Sequence, residues 1–180
     1  MLKRLADYAR PVLDFTYVRR TRRNHGLEHA TVHLLSARYK GKRMAGRSSV
    51  GGFVLLANVP TEAVEKAAHD ALERMRNGEH SLAVHPNCGT NLVTTGAMAT
   101  LTGAVGLGGG DRRWDLNRIS WTMSLMMFTV LASQPLGMAL QKHFTTEGDP
   151  GDLEIISVTK RPSRWPFADL TVHFVATRRG

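Results

Sequence analysis

Apolar residues recur along this chain with two different periods. From Thr61 to Gly78, Val64, Ala67, Ala68, Ala71, Leu72 and Met75 fall at helical spacing on one face. Thr61 reads as the N-cap and Gly78 as the stop, so an amphipathic helix is expected there. Between Asn24 and Ala37 the same period is carried by Leu27, Ala30, Leu34 and Leu35. A second helix is expected from His25, with Asn24 as its N-cap. Gly52 to Val59, containing Phe53, Val54, Leu55 and Leu56, reads as a buried strand, and Leu153 to Thr159 as another. After Pro166, Leu170, Val172, Phe174 and Ala176 alternate with Thr171, His173, Val175 and Thr177. That period of two predicts a third strand with the Leu170 set packed on the helices and His173 on the opposite face. Ser81 to Val84 could add an edge.

Two long uncharged stretches interrupt this pattern. No Asp, Glu, Lys or Arg occurs from Pro86 to Gly110, and a second such stretch runs from Ile119 to Gln141. As a helix the second would cover roughly 35 Å, against about 30 Å for a hydrocarbon core. It carries Met123, Leu125, Met126, Met127, Phe128, Val130 and Leu131, with Trp121 where an interfacial aromatic would sit. The first stretch is rich in Gly and Thr and suits close packing against a partner helix. Together they read as a transmembrane helical hairpin, with Pro135 kinking or ending the second arm. The alternative is a soluble protein with both helices buried in its core or in an oligomer interface. The expected fold class is α+β: a small antiparallel sheet packed with two helices, interrupted by the hairpin. Four segments follow: a basic amphipathic membrane-surface segment at 1–23, the first part of a cytoplasmic metal-binding domain at 24–85, the hairpin at 86–141, and C-terminal strands completing the domain at 142–180.

The length of 180 residues suits one domain, and 24 Lys and Arg against 15 Asp and Glu give a formal charge of +9, which favours anionic surfaces. Fifteen Lys or Arg precede the hairpin, three lie in its loop and six follow it, so both termini are expected on the cytoplasmic side. That topology accounts for the charge without nucleic acid, for which no interleaved aromatic motif is present. In residues 1–23, Leu2, Leu5, Ala9, Val12 and Leu13 stand among basic residues, followed by Arg19, Arg20, Arg22 and Arg23. This suits a helix on anionic lipid, or a solvated basic arm. Asp7, Arg10 and Asp14 interrupt what would otherwise resemble a cleavable signal. The single cysteine, Cys88, excludes an intramolecular disulfide and fits a reducing compartment.

Chemistry concentrates in two motifs. In His25-Gly26-Leu27-Glu28-His29 the two histidines lie one helical turn apart and can reach one ion, with Glu28 beside it to address a bound water. The H-x-x-E-H order is the inverted form of the zinc-protease signature. In His85-Pro86-Asn87-Cys88-Gly89-Thr90 an imidazole and a thiol are spaced to share an ion across a tight turn. Each motif alone is also compatible with ordinary surface histidines or an inert buried thiol. Jointly they offer His25, His29, His85 and Cys88 as ligands of a divalent metal, zinc being the first candidate. His33 extends the His25 and His29 stripe by one turn as a supporting donor or substitute ligand. His69, His80, His143 and His173 carry no such pattern.

The paired motifs resemble the H-G-x-E-H and H-P-x-C-G-T motifs of bacterial membrane proteins of unknown function, some described as predicted metal-dependent enzymes. The resemblance rests on His25, Gly26, Glu28, His29, His85, Pro86, Cys88, Gly89 and Thr90, covers mainly residues 24 to about 140, and does not include His33. It implies a metal and a bacterial cytoplasmic membrane, but no substrate. One expected function is a membrane-associated zinc hydrolase, peptidase-like in signature, in which Glu28 activates a metal-bound water against a peptide or lipid-linked substrate at the cytoplasmic face. The other is a non-catalytic scaffold or assembly factor with a closed four-ligand structural site. A homo-oligomer is compatible with either. No downstream Glu ligand helix of the inverted zinc proteases is evident, so the likeness is one of signature and not of fold.

Overall fold

The face formed by Val64, Ala67, Ala68, Ala71, Leu72 and Met75 is buried along its whole length, as its spacing predicts. The computed structural model describes residues 1–108, 116–162 and 171–180. It divides into two units, Met1–His85 with Lys142–Gly180, and Pro86–Gln141. The first contains α1 (Leu2–Tyr8), α2 (Arg10–Leu13), α3 (Thr16–Arg38), β1 (Met44–Ser49), β2 (Gly52–Ala57) and α4 (Thr61–Arg76). The second contains α5 (Gly89–Leu107) and α6 (Leu116–Leu140), and the chain then returns to the first unit through β3 (Glu154–Arg161) and β4 (Val172–Arg178).

The four strands make one antiparallel sheet in the order β1-β2-β4-β3. Phe53 pairs with Val175 and Leu55 with His173. On that face Phe53, Leu55, Ala57 and Val175 are buried with Leu27, Ala30 and Leu35 of α3 and Val64, Ala68 and Met75 of α4. The fold is therefore α+β, with a four-stranded antiparallel sheet and several helices.

The sheet corrects three expectations. β4 is turned over: His173, Val175 and Thr177 are buried, while Val172, Phe174 and Ala176 are only half-buried on the other face. His173 is tolerated inside because its Nε2 lies 3.2 Å from the Ala57 carbonyl and its Nδ1 3.3 Å from the Thr61 hydroxyl. On the outer face Phe174 is covered by the Arg161 guanidinium, 3.9 Å above its ring. β1 was not expected, because this mostly exposed edge strand, Met-Ala-Gly-Arg-Ser-Ser, has no apolar alternation. Ser81 to Val84 adds no edge; His80–Ala83 is a 3-10 turn. Pro166 and Leu170 lie outside the described residues.

α3 differs from its expected form as well. It begins at Thr16, so Asn24 is an interior, fully buried residue and not an N-cap. The Asn24 amide donates to the carbonyls of Ser49 (2.8 Å) and Val50 (3.3 Å), and its oxygen accepts from the Thr177 hydroxyl (2.7 Å). One side chain thus ties the helix to the β1–β2 turn and to β4. Three of the four clustered arginines bind within the protein. Arg20 donates to the Thr177 carbonyl, Arg22 to those of His143 and Thr146, and Arg23 approaches Asp152 at 3.5 Å.

In the second unit α5 and α6 pack antiparallel along a seam of small and hydroxylated residues. Gly137 leaves room for Asn91, Thr95 bonds Ser133 at 2.6 Å, Thr102 bonds Thr129 at 3.0 Å, and Gly106 faces Thr122. α6 runs through Pro135 to Leu140 and continues as a wide π turn, Gln141–Thr145, so the proline does not end it. The large apolar residues, among them Leu92, Leu101, Trp121, Phe128 and Leu131, point outward. Among the described residues one helix, Leu116–Thr145, is long and apolar enough to cross a membrane, and only 11% of its most apolar window is buried. This corrects the expectation of two such helices. The Gly and Thr residues that let α5 pack closely also dilute its hydropathy.

The Asn24 linkage yields a stability prediction. Asn24→Ala leaves the Thr177 hydroxyl and the turn carbonyls without their partner, and should lower unfolding free energy by about 2–3 kcal/mol. Thermal and denaturant unfolding of the detergent-solubilised chain measures this, with the exposed Glu65→Ala as a control expected to change little.

Candidate metal centre

α3 carries the first motif through the interior, where Gly26, Leu27, Glu28 and His29 are buried and His25 is partly so. Gly26 is required by close approach: a methyl group there would run into the backbone carbonyl of Glu147. That segment is held by the Glu147 amide donating to the Arg22 carbonyl at 3.0 Å, and by the Arg22–Glu147 ion pair at 3.3 Å.

Two backbone carbonyls set the histidines. His25 Nδ1 lies 2.9 Å from the Thr145 carbonyl, and His29 Nδ1 lies 2.8 Å from the Ala83 carbonyl. A carbonyl only accepts, so each ring donates from Nδ1, and Nε2 is the atom through which its neutral form can ligate. The two rings meet edge to face with centroids 4.4 Å apart. His33 has the opposite arrangement, its Nε2 donating to the Val84 carbonyl at 3.0 Å.

Cys88 is buried at the N-cap of α5, where its Sγ accepts from the Thr90 amide at 3.4 Å. The helix N-terminus and that amide both favour the thiolate. One potential ligand atom each from His25, His29 and Cys88 lie within 4.8 Å of one another. This His/His/Cys cluster is capable of coordinating a metal ion. His85 stands outside the trio, its ring 4.7 Å from that of His33 and 6.0 Å from that of His29. Burial, with the neighbouring His33 and His29, pushes its pKa down to about 4. It is therefore neutral at physiological pH, the form that can ligate.

Glu28 faces β1. Its carboxylate accepts from the Ser48 hydroxyl, and Gly46 has no side chain where its oxygen sits. Burial raises the Glu28 pKa, while the Ser48 hydrogen bond and the neighbouring His25 oppose that rise. Ser48, Gly46 and the carbonyls of Ala83 and Thr145 are parts of the site that sequence reasoning missed. Main-chain acceptors leave no mark in a sequence, and β1 has no pattern to place Ser48 opposite Glu28. His69 and His80 are exposed and take no part.

The fold and cluster define a class: an α+β protein with a potential metal-binding cluster and one helix of membrane-crossing length. The chain belongs to the family described as Domain of unknown function (DUF6391), whose model matches residues 20–158. It is also 34% identical over 154 residues to an uncharacterized protein of Picosynechococcus sp. (strain ATCC 27264 / PCC 7002 / PR-6), covering 78% of this chain and 71% of that one. No solved structure matches the chain.

The depressed His85 pKa has a testable sign. Because the folded value lies below the ordinary value of 6.5, the unfolded chain binds the extra proton first. The resulting stability contribution is unfavourable at low pH and is relieved as pH rises from about 4 to 6.5. In chelator-treated protein, histidine-labelled NMR should show the His85 resonance flat from pH 8 to about 5.5 and titrating near 4.

Proposed function

We propose that the protein is a membrane-associated, metal-dependent hydrolase whose zinc ligands are His25, His29 and Cys88, with Glu28 as general base. The observation that carries this reading is the pair of Nδ1-to-carbonyl hydrogen bonds, which turn the Nε2 atoms of His25 and His29 into lone-pair donors beside a helix-capped thiol. Two imidazoles and a thiolate are a borderline-soft set that suits zinc and leaves a fourth position for substrate or water. A zinc ion held there would supply Lewis acidity and make a water acidic enough to attack at neutral pH. With such an ion bound, Glu28, buried and raised in pKa, would serve as the base for the attacking water and as the acid toward the leaving group. Ser48 and Gly46 hold that carboxylate in place. The substrate in this reading is a peptide or lipid-linked group at the cytoplasmic face. The support for that is indirect: Cys88 opens an uncharged helix pair whose apolar side chains face outward.

His85 favours a second reading, in which it completes a closed four-ligand site and the protein is a scaffold or assembly factor. Its ring lies beside His29 and stays neutral.

Metal content by mass spectrometry on the gently solubilised chain tests the shared site. Wild type and Glu28→Gln should retain close to one zinc per chain, while His29→Ala and Cys88→Ser should lose most of it. A wild type without metal overturns the reading. X-ray absorption then separates the alternatives: three protein ligands plus one light atom support the hydrolase, and four protein ligands the scaffold. With a responsive peptide from a labelled library, Glu28→Gln should lose about 10²- to 10⁴-fold in rate with metal retained.

A further inference from the structure

The N-terminal segment that carries α1 and α2 exposes a row of large apolar residues. Met1, Leu5, Tyr8, Val12 and Phe15 recur at helical spacing and are all at least half exposed, with Tyr8 at 85%. Lys3, Asp7, Arg10 and Asp14 are also exposed and line, with Ala6 and Leu13, a cavity of about 360 Å³. Arg22 of α3 belongs to the same lining, as do Lys142, His143 and Glu147. Lys142 and His143 belong to the last turn of the helix Leu116–Thr145, the one long and apolar enough to cross a membrane.

The charges inside do not cancel. Asp7 is paired with Arg10 at 3.1 Å, and Glu147 with Arg22 at 3.3 Å. Arg22 is nine-tenths buried, and its Nε has no hydrogen-bond partner. The lysines Lys3 and Lys142 remain against the single carboxylate of Asp14, so the lining keeps one positive charge. A phosphodiester carries one negative charge and acceptor oxygens for two ammonium groups. An apolar helix face pointing outward is stable in contact with acyl chains and not with water.

We propose that Met1, Leu5, Tyr8, Val12 and Phe15 rest in the acyl layer of the membrane while the cavity beneath them receives the phosphate of an anionic phospholipid. Lys3 and Lys142, both in the lining, supply the ammonium groups that bind the phosphate. The assignment goes beyond the metal reading and stands without it.

Amide hydrogen exchange of the full chain in lipid nanodiscs tests this. Discs of phosphatidylcholine are compared with discs that also contain phosphatidylglycerol, and with phosphatidylcholine discs plus inorganic phosphate. Residues 2–13 should exchange about tenfold more slowly in the phosphatidylglycerol discs than in the other two. The double variant Lys3→Gln/Lys142→Gln should abolish that difference, and Leu5→Ser/Val12→Ser should speed exchange in every disc. Unchanged protection of α4 verifies that each variant is folded. Equal exchange in the two lipids, or a difference that survives the lysine substitutions, overturns the headgroup site. Equal protection by inorganic phosphate overturns the lipid as its source.

Discussion

A polar helix runs through the core of the first unit, and the rest of that unit is arranged around satisfying it. Arg22, Asn24, Glu28 and His29 are all buried on α3, beside Leu27, Ala30 and Leu35. Each buried donor without an acceptor would cost about 1–3 kcal/mol, so an apolar neighbour alone cannot cover such a helix. What covers it is main chain. The carbonyls of Ser49 and Val50 accept from Asn24, those of Ala83 and Val84 face His29 and His33, and those of Thr145 and Thr146 face His25 and Arg22. Three separate segments are positioned by the same requirement. The hydrogen bonds that stabilise the fold are also the ones that choose the histidine tautomers, so structure and candidate chemistry share one set of interactions.

That sharing explains how one unit survives a long interruption in its sequence. After the excursion through α5 and α6 the chain must find α3 again, and it does so at once. Thr145 meets His25, Thr146 meets Arg22, and the Glu147 amide pairs with the Arg22 carbonyl over the gap left by Gly26. The glycine of the first motif is therefore a packing requirement of the return segment. It is not a flexible element of the site. The arginine cluster belongs to the same reconnection, since Arg20, Arg22 and Arg23 all reach residues beyond position 140.

Much of this was legible where periodicity and burial coincide. The α4 face and the core strand β2 follow from apolar spacing, the pair of helices from the absence of charge, and the His25, His29 and Cys88 cluster from two motifs of soft and borderline donors, whereas His85, expected with them, stands outside it. What failed to show were features determined by partners distant in sequence. The alternation in β4 gave the correct element and the wrong face, because His173 and Thr177 have acceptors inside and Phe174 has an arginine outside. Asn24 looked like a cap because capping and bridging use the same amide, and only the position of the β1–β2 turn decides between them. β1 itself has neither alternation nor apolar content, yet it supplies Ser48 and Gly46 to Glu28. Local patterns report which solvent a side chain prefers; they do not report a partner that changes that preference.

Solvent preference also orders the protein as a whole. The core of the first unit, from Leu27 to Val175, hides its apolar groups in the ordinary way. In α5 and α6 the polarity is reversed, with hydroxyls and glycines along the seam and Trp121, Phe128 and Leu131 outside. Near the N-terminus Met1, Leu5, Tyr8, Val12 and Phe15 are exposed as well, beside a charged cavity. Hydroxyl pairs such as Thr95–Ser133 and Thr102–Thr129 hold a seam together where surrounding chains offer no competing hydrogen bonds, whereas in water they would exchange with solvent at little cost. The exposed apolar residues of α5 and α6 are consistent with an apolar medium. Cys88 caps the first of these helices, and its sulfur is one of the three potential ligand atoms that lie within 4.8 Å of one another. A thiolate at a helix N-terminus is favoured by the backbone dipole, so the capping position that opens α5 is also one that suits a metal-ligating sulfur.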